Sequence, residues 1–147
     1  MAKFIYRMQN ILEIKRKLEM QAKSDYAEAS QRLVQEEKKL AELKLKQQEF
    51  EGIHKNLLMS AINLLEIKNC RKSIEGIKGS IKNQMISVHV AQKNLEMARV
   101  KLGEVMLERK TYEKLKEKAF EDFKQEVNVQ ESKEIDELVS YIYGNNK

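Results

Sequence analysis

Hydrophobic residues recur along this chain at steps of three and four, and the longest unbroken run of that pattern spans Ile67 to Phe123. It reads Ile67, Cys70, Ile74, Ile77, Ile81, Gln84, Val88, Ala91, Leu95, Ala98, Leu102, Val105, Arg109, Tyr112, Lys116, Ala119, Phe123. Only Gln84, Arg109 and Lys116 interrupt the apolar character, so the stripe is not uniformly dry. The residues between are almost all polar or charged, with flanking exceptions such as Met85, Val90, Val100 and Leu115. A period of 3.5 sustained this long predicts a coiled-coil seam, because a narrow stripe stays on one side of a helix only if the helix winds about a partner.

A second stripe precedes it. Phe4, Met8, Ile11, Lys15, Leu18 and Ala22 lead into Tyr26, Ala29, Leu33, Glu36, Leu40, Leu43, Gln47, Phe50, His54, Leu57 and Ala61, while Ile5, Leu12 and Ile14 widen the apolar face near its start. The successive four-residue steps from Leu18 to Ala22 to Tyr26 predict a stutter, a local unwinding of the supercoil. The two stripes occupy different heptad phases, so the register must reset between Leu57 and Ile67. A turn does this most simply, with Ser60 or Asn63 as the residue capping the second helix. Gly76 and Gly79 form a rival turn site nearer the midpoint. The second stripe runs straight through Ile74, Ile77 and Ile81, however, and two glycines soften a helix without ending it.

The expected architecture is therefore all-α: a long two-helix antiparallel coiled-coil hairpin with a C-terminal helical overhang. It forms a single domain over 1–147, with helix 1 about 3–57, a turn about 58–65 and helix 2 about 66–142. A tip near residue 61 sets Phe4 opposite roughly residue 118, pairs the helices over roughly 80 Å, and leaves roughly the last 25 residues unpaired. Those residues carry a further apolar cluster at Ile135, Leu138 and Ile142, flanked by Tyr141 and Tyr143, before a fraying Gly144-Asn-Asn-Lys end.

Composition agrees with long helices. The 147 residues include no Pro and no Trp, 35% are charged and only 6% are aromatic, which argues against a thick layered core. The single cysteine, Cys70, excludes an intrachain disulfide and suits a reducing cytoplasm as a small apolar stripe residue. No signal peptide or transmembrane segment is expected. The net charge of +5 is uneven: residues 53–103 carry nine basic against three acidic groups, and residues 117–142 carry three against eight. A basic centre and an acidic tail suggest different partners for different parts of the chain.

Catalysis finds no footing. P-loop, G-x-G-x-x-G, H-E-x-x-H and C-x-x-C motifs are absent, and His54 and His89 have no ligand-spaced companions. No cofactor and no metal are expected. The acidic residues mostly sit beside Lys or Arg at helical spacing, as in Glu113–Lys116–Lys118, and read as a solvated face.

The run Lys3-Phe-Ile-Tyr-Arg-Met-Gln-Asn-Ile-Leu-Glu-Ile-Lys, followed by Leu18-Glu19 and Ala27-Glu28-Ala29, resembles the start of the flagellar export protein FliJ family. The C-terminal run Glu108-Arg-Lys-Thr-Tyr-Glu-Lys-Leu-Lys-Glu-Lys, then Phe123, then Glu131-Ser-Lys-Glu-Ile-Asp-Glu-Leu, resembles the family's other end. The resemblance implies a stalk-like antiparallel coiled coil, similar to the central shaft of rotary ATPases. It implies work on the cytoplasmic face of the flagellar type III secretion system, peripheral to the cell membrane. The implied partners are the flagellar export ATPase hexamer, a membrane export gate protein and export chaperones.

The residues that the resemblance points to for the ATPase ring are Phe4, Met8, Ile11, Phe123, Ile135, Asp136, Leu138 and Ile142. For the export gate they are Leu43, Phe50 and Ile77, which are also stripe positions and so have a second role in holding the helices together. Two other classes compete. A basic coiled coil that binds nucleic acid would use the +6 centre, but its charges are spread around the helix without stacking aromatics. A generic cytoplasmic scaffold would dimerise as one long helix, which the phase break disfavours.

Overall fold

A computed structural model describes residues 3–60 and 63–145, and within them the chain forms two helices: α1, Gln9–Met59, and α2, Leu64–Asn145. No strand occurs among the described residues. The two helices pack antiparallel as a coiled-coil hairpin. Residues 3–6 precede α1 without being helical, so helix 1 begins later than residue 3. Its first turn is entered through a hydrogen bond from the Gln9 amide to the Tyr6 carbonyl (3.1 Å).

α1 ends where the first stripe ends, and Ser60 closes it by donating its amide and hydroxyl to the Asn56 carbonyl (both 3.1 Å). Asn63 starts α2. Its Oδ1 accepts from the amides of Leu65 (3.1 Å) and Glu66 (3.3 Å), two of the donors that a helix start leaves unsatisfied. Glu66 adds a carboxylate in the first turn, where the helix dipole favours it. Of the two expected capping residues, Asn63 is therefore the one that caps. Ala61, the expected last residue of the first stripe, lies outside the described residues. α2 continues unbroken through Gly76 and Gly79, with no glycine at positive φ among the described residues.

All seventeen positions of the stripe from Ile67 to Phe123 are buried or half-buried. The first stripe needs one correction. Met8, Ile11 and Leu18 are 43%, 39% and 45% exposed, whereas Leu12 is fully buried and Glu19 is 6% exposed. The inward row is Leu12, Lys15, Glu19, Ala22, Tyr26, which keeps steps of three and four, and there is no stutter. The physical reason lies on α2: Arg109 occupies a seam position, and Glu19 turns inward to meet its charge.

The contacts group the chain into two compact units, residues 22–102 and residues 1–21 with 103–147. In the first, Ala22, Cys70, Ile74, Val88 and Ala91 form the buried interior. Gln84 donates to the Glu36 carbonyl and Cys70 to the Phe50 carbonyl, so fourteen residues forward on α1 are fourteen back on α2. In the second unit Leu12 and Val105 are the buried apolar residues. Phe4 packs on Phe120 and Phe123 with ring centroids 5.1 and 5.5 Å apart, a little beyond the position near 118 that the tip arithmetic predicts. Val127 is half-buried, and every residue from Asn128 to Gly144 is exposed.

Candidate partner-binding surfaces

Two polar clusters replace apolar packing in the seams, one in each unit. In the unit of residues 22–102, Gln84 Nε2 donates to the Glu36 carbonyl (2.9 Å) and to Glu36 Oε2 (2.5 Å), while Arg32 Nε approaches Glu36 Oε1 at 3.1 Å. Glu36 is only 5% exposed, and its carboxylate is satisfied from both helices. In the other unit Arg109 is forked. Its Nε and Nη2 donate to the two oxygens of Glu19 at 2.6 and 3.1 Å, and its Nη1 donates to Glu113 at 2.9 Å. The hydrogen bond from Arg109 holds the Glu113 carboxyl below the usual carboxylate range, with lesser help from Arg16, and the two carboxylates raise the Arg109 guanidinium further above its ordinary value. Lys15 donates to Glu108 at 2.9 Å, and that bond raises the Lys15 ammonium above its ordinary value. These groups fix which residues face which. They are structural and leave little for a partner to take.

The surfaces left over are apolar. Near the chain's start, Phe4 and Phe123 are brought into one aromatic cluster together with Phe120, which sequence reasoning passed over because it stands one residue past the seam position Ala119. Tyr6 locks this region by donating its hydroxyl to the Tyr112 carbonyl (3.1 Å). Ile11, Ile14 and Leu18 share an exposed flank of α1, and Met8, exposed too, stands in the turn just before it. At the far end of α2, Ile135, Leu138 and Ile142 stand at i, i+3 and i+7 and are 61%, 59% and 50% exposed, with Val139 (42%) beside them. Val139 was not among the expected residues, although its i+4 spacing from Ile135 signals it. Asp136 is exposed next to this stripe. Residues 135–142 lie apart from the Phe4 cluster: Ile135 is twelve residues, roughly 18 Å of helix, beyond Phe123.

Leu43, Phe50 and Ile77 sit elsewhere, half-buried in the seam of residues 22–102. By the register set by Gln84 and Cys70, Leu43 falls opposite Ile77. Their burial is what holding the helices together requires, and it leaves only the outer part of each side chain to a partner. Among the described residues no group of three His, Cys, Asp or Glu is placed to hold a metal ion, and no helix is long and apolar enough to cross a membrane.

The family model described as "Flagellar FliJ protein" matches residues 4–147. Among solved structures, the chain is similar to a putative YscO homolog, CT670, from Chlamydia trachomatis. The two share 21% identity with a TM-score of 0.75, over 99% of this chain and 98% of the other. That likeness concerns the fold. No curated protein matches the chain.

Proposed function

Since the chain belongs to the flagellar FliJ protein family, a family of type III export components, we propose that it is a non-catalytic, central-stalk-like coiled coil. In this reading it couples the export ATPase ring to the membrane export gate and escorts export chaperones at the cytoplasmic face of the membrane. The observation that carries the reading is the unpartnered end of α2. A stripe of Ile135, Leu138 and Ile142 exposed to water is an aggregation liability unless a partner covers it. The unit that holds this stripe also holds Phe4, Met8, Ile11 and Phe123, and its acidic excess over residues 117–142 gives it a charge character distinct from the basic centre. Leu43, Phe50 and Ile77 are the residues proposed for the gate, in addition to their packing.

The test is truncation. Deleting 128–147 removes the exposed stripe without touching any side chain that pairs the two helices. The helical circular dichroism signal of the remaining chain is expected to persist, while affinity for the export ATPase hexamer falls at least about tenfold, in line with the loss of a buried apolar anchor. Undiminished affinity would remove the overhang from the interface.

A further inference from the structure

α2 carries a second periodic row on the face away from its seam. Two residues beyond each of Gln84, Val88, Ala91, Leu95 and Ala98 stand Ile86, Val90, Lys93, Met97 and Val100. Two residues turn a helix by roughly 200°, so this row lies opposite the seam, with α1 on the far side. Ile86, Val90, Met97 and Val100 are 57%, 50%, 70% and 47% exposed, and Met85 beside them is 54% exposed. Toward the turn the same row continues as Asn83, Gly79, Gly76, Lys72 and Asn69. Along these ten positions there is no carboxylate. Between Lys68 and Lys101 the helix bears eight basic residues against Glu75 and Glu96, and Glu96 is engaged by Arg99 at 2.6 and 3.0 Å.

We propose that this outward face of residues 69–100 is a docking surface for an anionic lipid bilayer. Its geometry suits a plane over the apolar part: Ile86 to Val100 spans two heptads, over which the supercoil turns the row by only roughly 40°, so a flat surface meets Ile86, Val90, Lys93, Met97 and Val100 together. Its chemistry suits lipid headgroups and the upper acyl chains. Unbranched or aliphatic side chains supply the buried part, Lys93 between Val90 and Met97 extends its ammonium past its own apolar stem, and the flanking Lys and Arg meet phosphate. The glycines at 76 and 79 let the backbone itself approach, and a Cβ at either would meet nothing within 4 Å. The occupant is argued from charge: the eight basic residues against Glu75 and Glu96 run the length of this stretch, and a layer of anionic headgroups offers phosphate along all of it.

The test is co-sedimentation of the full chain with vesicles of phosphatidylcholine alone and of phosphatidylcholine mixed with phosphatidylglycerol. Binding is expected only to the mixed vesicles, and weakening as salt is raised. Val90→Asp with Met97→Asp is expected to reduce it at least about tenfold, by placing carboxylates where apolar contact and phosphate are expected. Lys72→Glu with Lys93→Glu, which changes only exposed side chains, is expected to do the same with the helical signal unchanged. Val34→Asp, at an exposed apolar position on α1, is expected to leave binding intact. Failure to bind the mixed vesicles, or binding indifferent to both double substitutions, would overturn the proposal. So would capture of an acidic amphipathic peptide through Val90 and Met97 by a chain that ignores the vesicles, which would assign the face to a protein partner.

Discussion

The two compact units use the same step of three and four and fill it with different chemistry. Residues 22–102 are held by small and β-branched side chains, Ala22, Cys70, Ile74, Val88 and Ala91, with one amide–carboxylate pair between Gln84 and Glu36. Residues 1–21 and 103–147 are held by one fully buried leucine, an aromatic cluster at the edge and an arginine gripped by two carboxylates. A heptad specifies where a seam runs, and the polar intrusions within it specify which residues must face each other. One unit does this across the helices with an arginine held by carboxylates and the other with an amide donating to a carboxylate, so the two should answer differently to mutation and to pH.

The largest effect is expected from Leu12→Ala. It empties the site of a fully buried leucine and should cost about 2–5 kcal/mol. Amide exchange should show protection lost over residues 103–120 and retained over 74–98. Equal loss in both would break the distinction between the units.

Gln84→Leu comes next. It leaves the Glu36 carboxylate and carbonyl without their partner from α2, at about 1–3 kcal/mol by urea denaturation. Adding Glu36→Leu should recover most of that loss, since a matched apolar pair needs no hydrogen bond. A double variant no better than the single one would mean that the pair stabilises the seam outright.

The smallest effect is expected from acid. The Glu113 carboxyl lies below its ordinary range in the folded chain because Arg109 donates to it. Its contribution is therefore complete above the ordinary carboxylate value of roughly 4.3 and is lost as pH falls through the lower folded value. Glu96 is lowered in the same direction by Arg99, also on its own helix. Glu113 differs because Arg16 of α1 reaches it too, at 3.4 Å, so its protonation loosens a contact between the helices as well. On acidification, exchange should rise first across the seam around Arg109. Arg109→Leu should flatten that response, and an unchanged acid profile in the variant would show that the arginine does not set it.

Much of the fold was legible in the sequence because burial in a coiled coil repeats along the chain. The seam from Ile67 to Phe123, the phase break that demands a turn, and the helix running through Gly76 and Gly79 all follow from spacing alone. The exposed stripe at Ile135, Leu138 and Ile142 was legible for the same reason, as apolar residues at helical spacing beyond the reach of the first helix.

What spacing could not supply is the identity of inward residues where charge is buried. Apolarity favours Leu18 over Glu19, and only the presence of Arg109 across the seam reverses that choice, since a half-buried guanidinium requires a carboxylate more than a leucine requires shelter. The same holds for Asn63 over Ser60 as the cap, decided by where two amides point, and for Phe120 beside Phe4. The repeating pattern, a property of one helix, was set by the sequence. The pairings, which depend on two helices and on the cost of leaving a buried charge alone, were decided only in the tertiary structure.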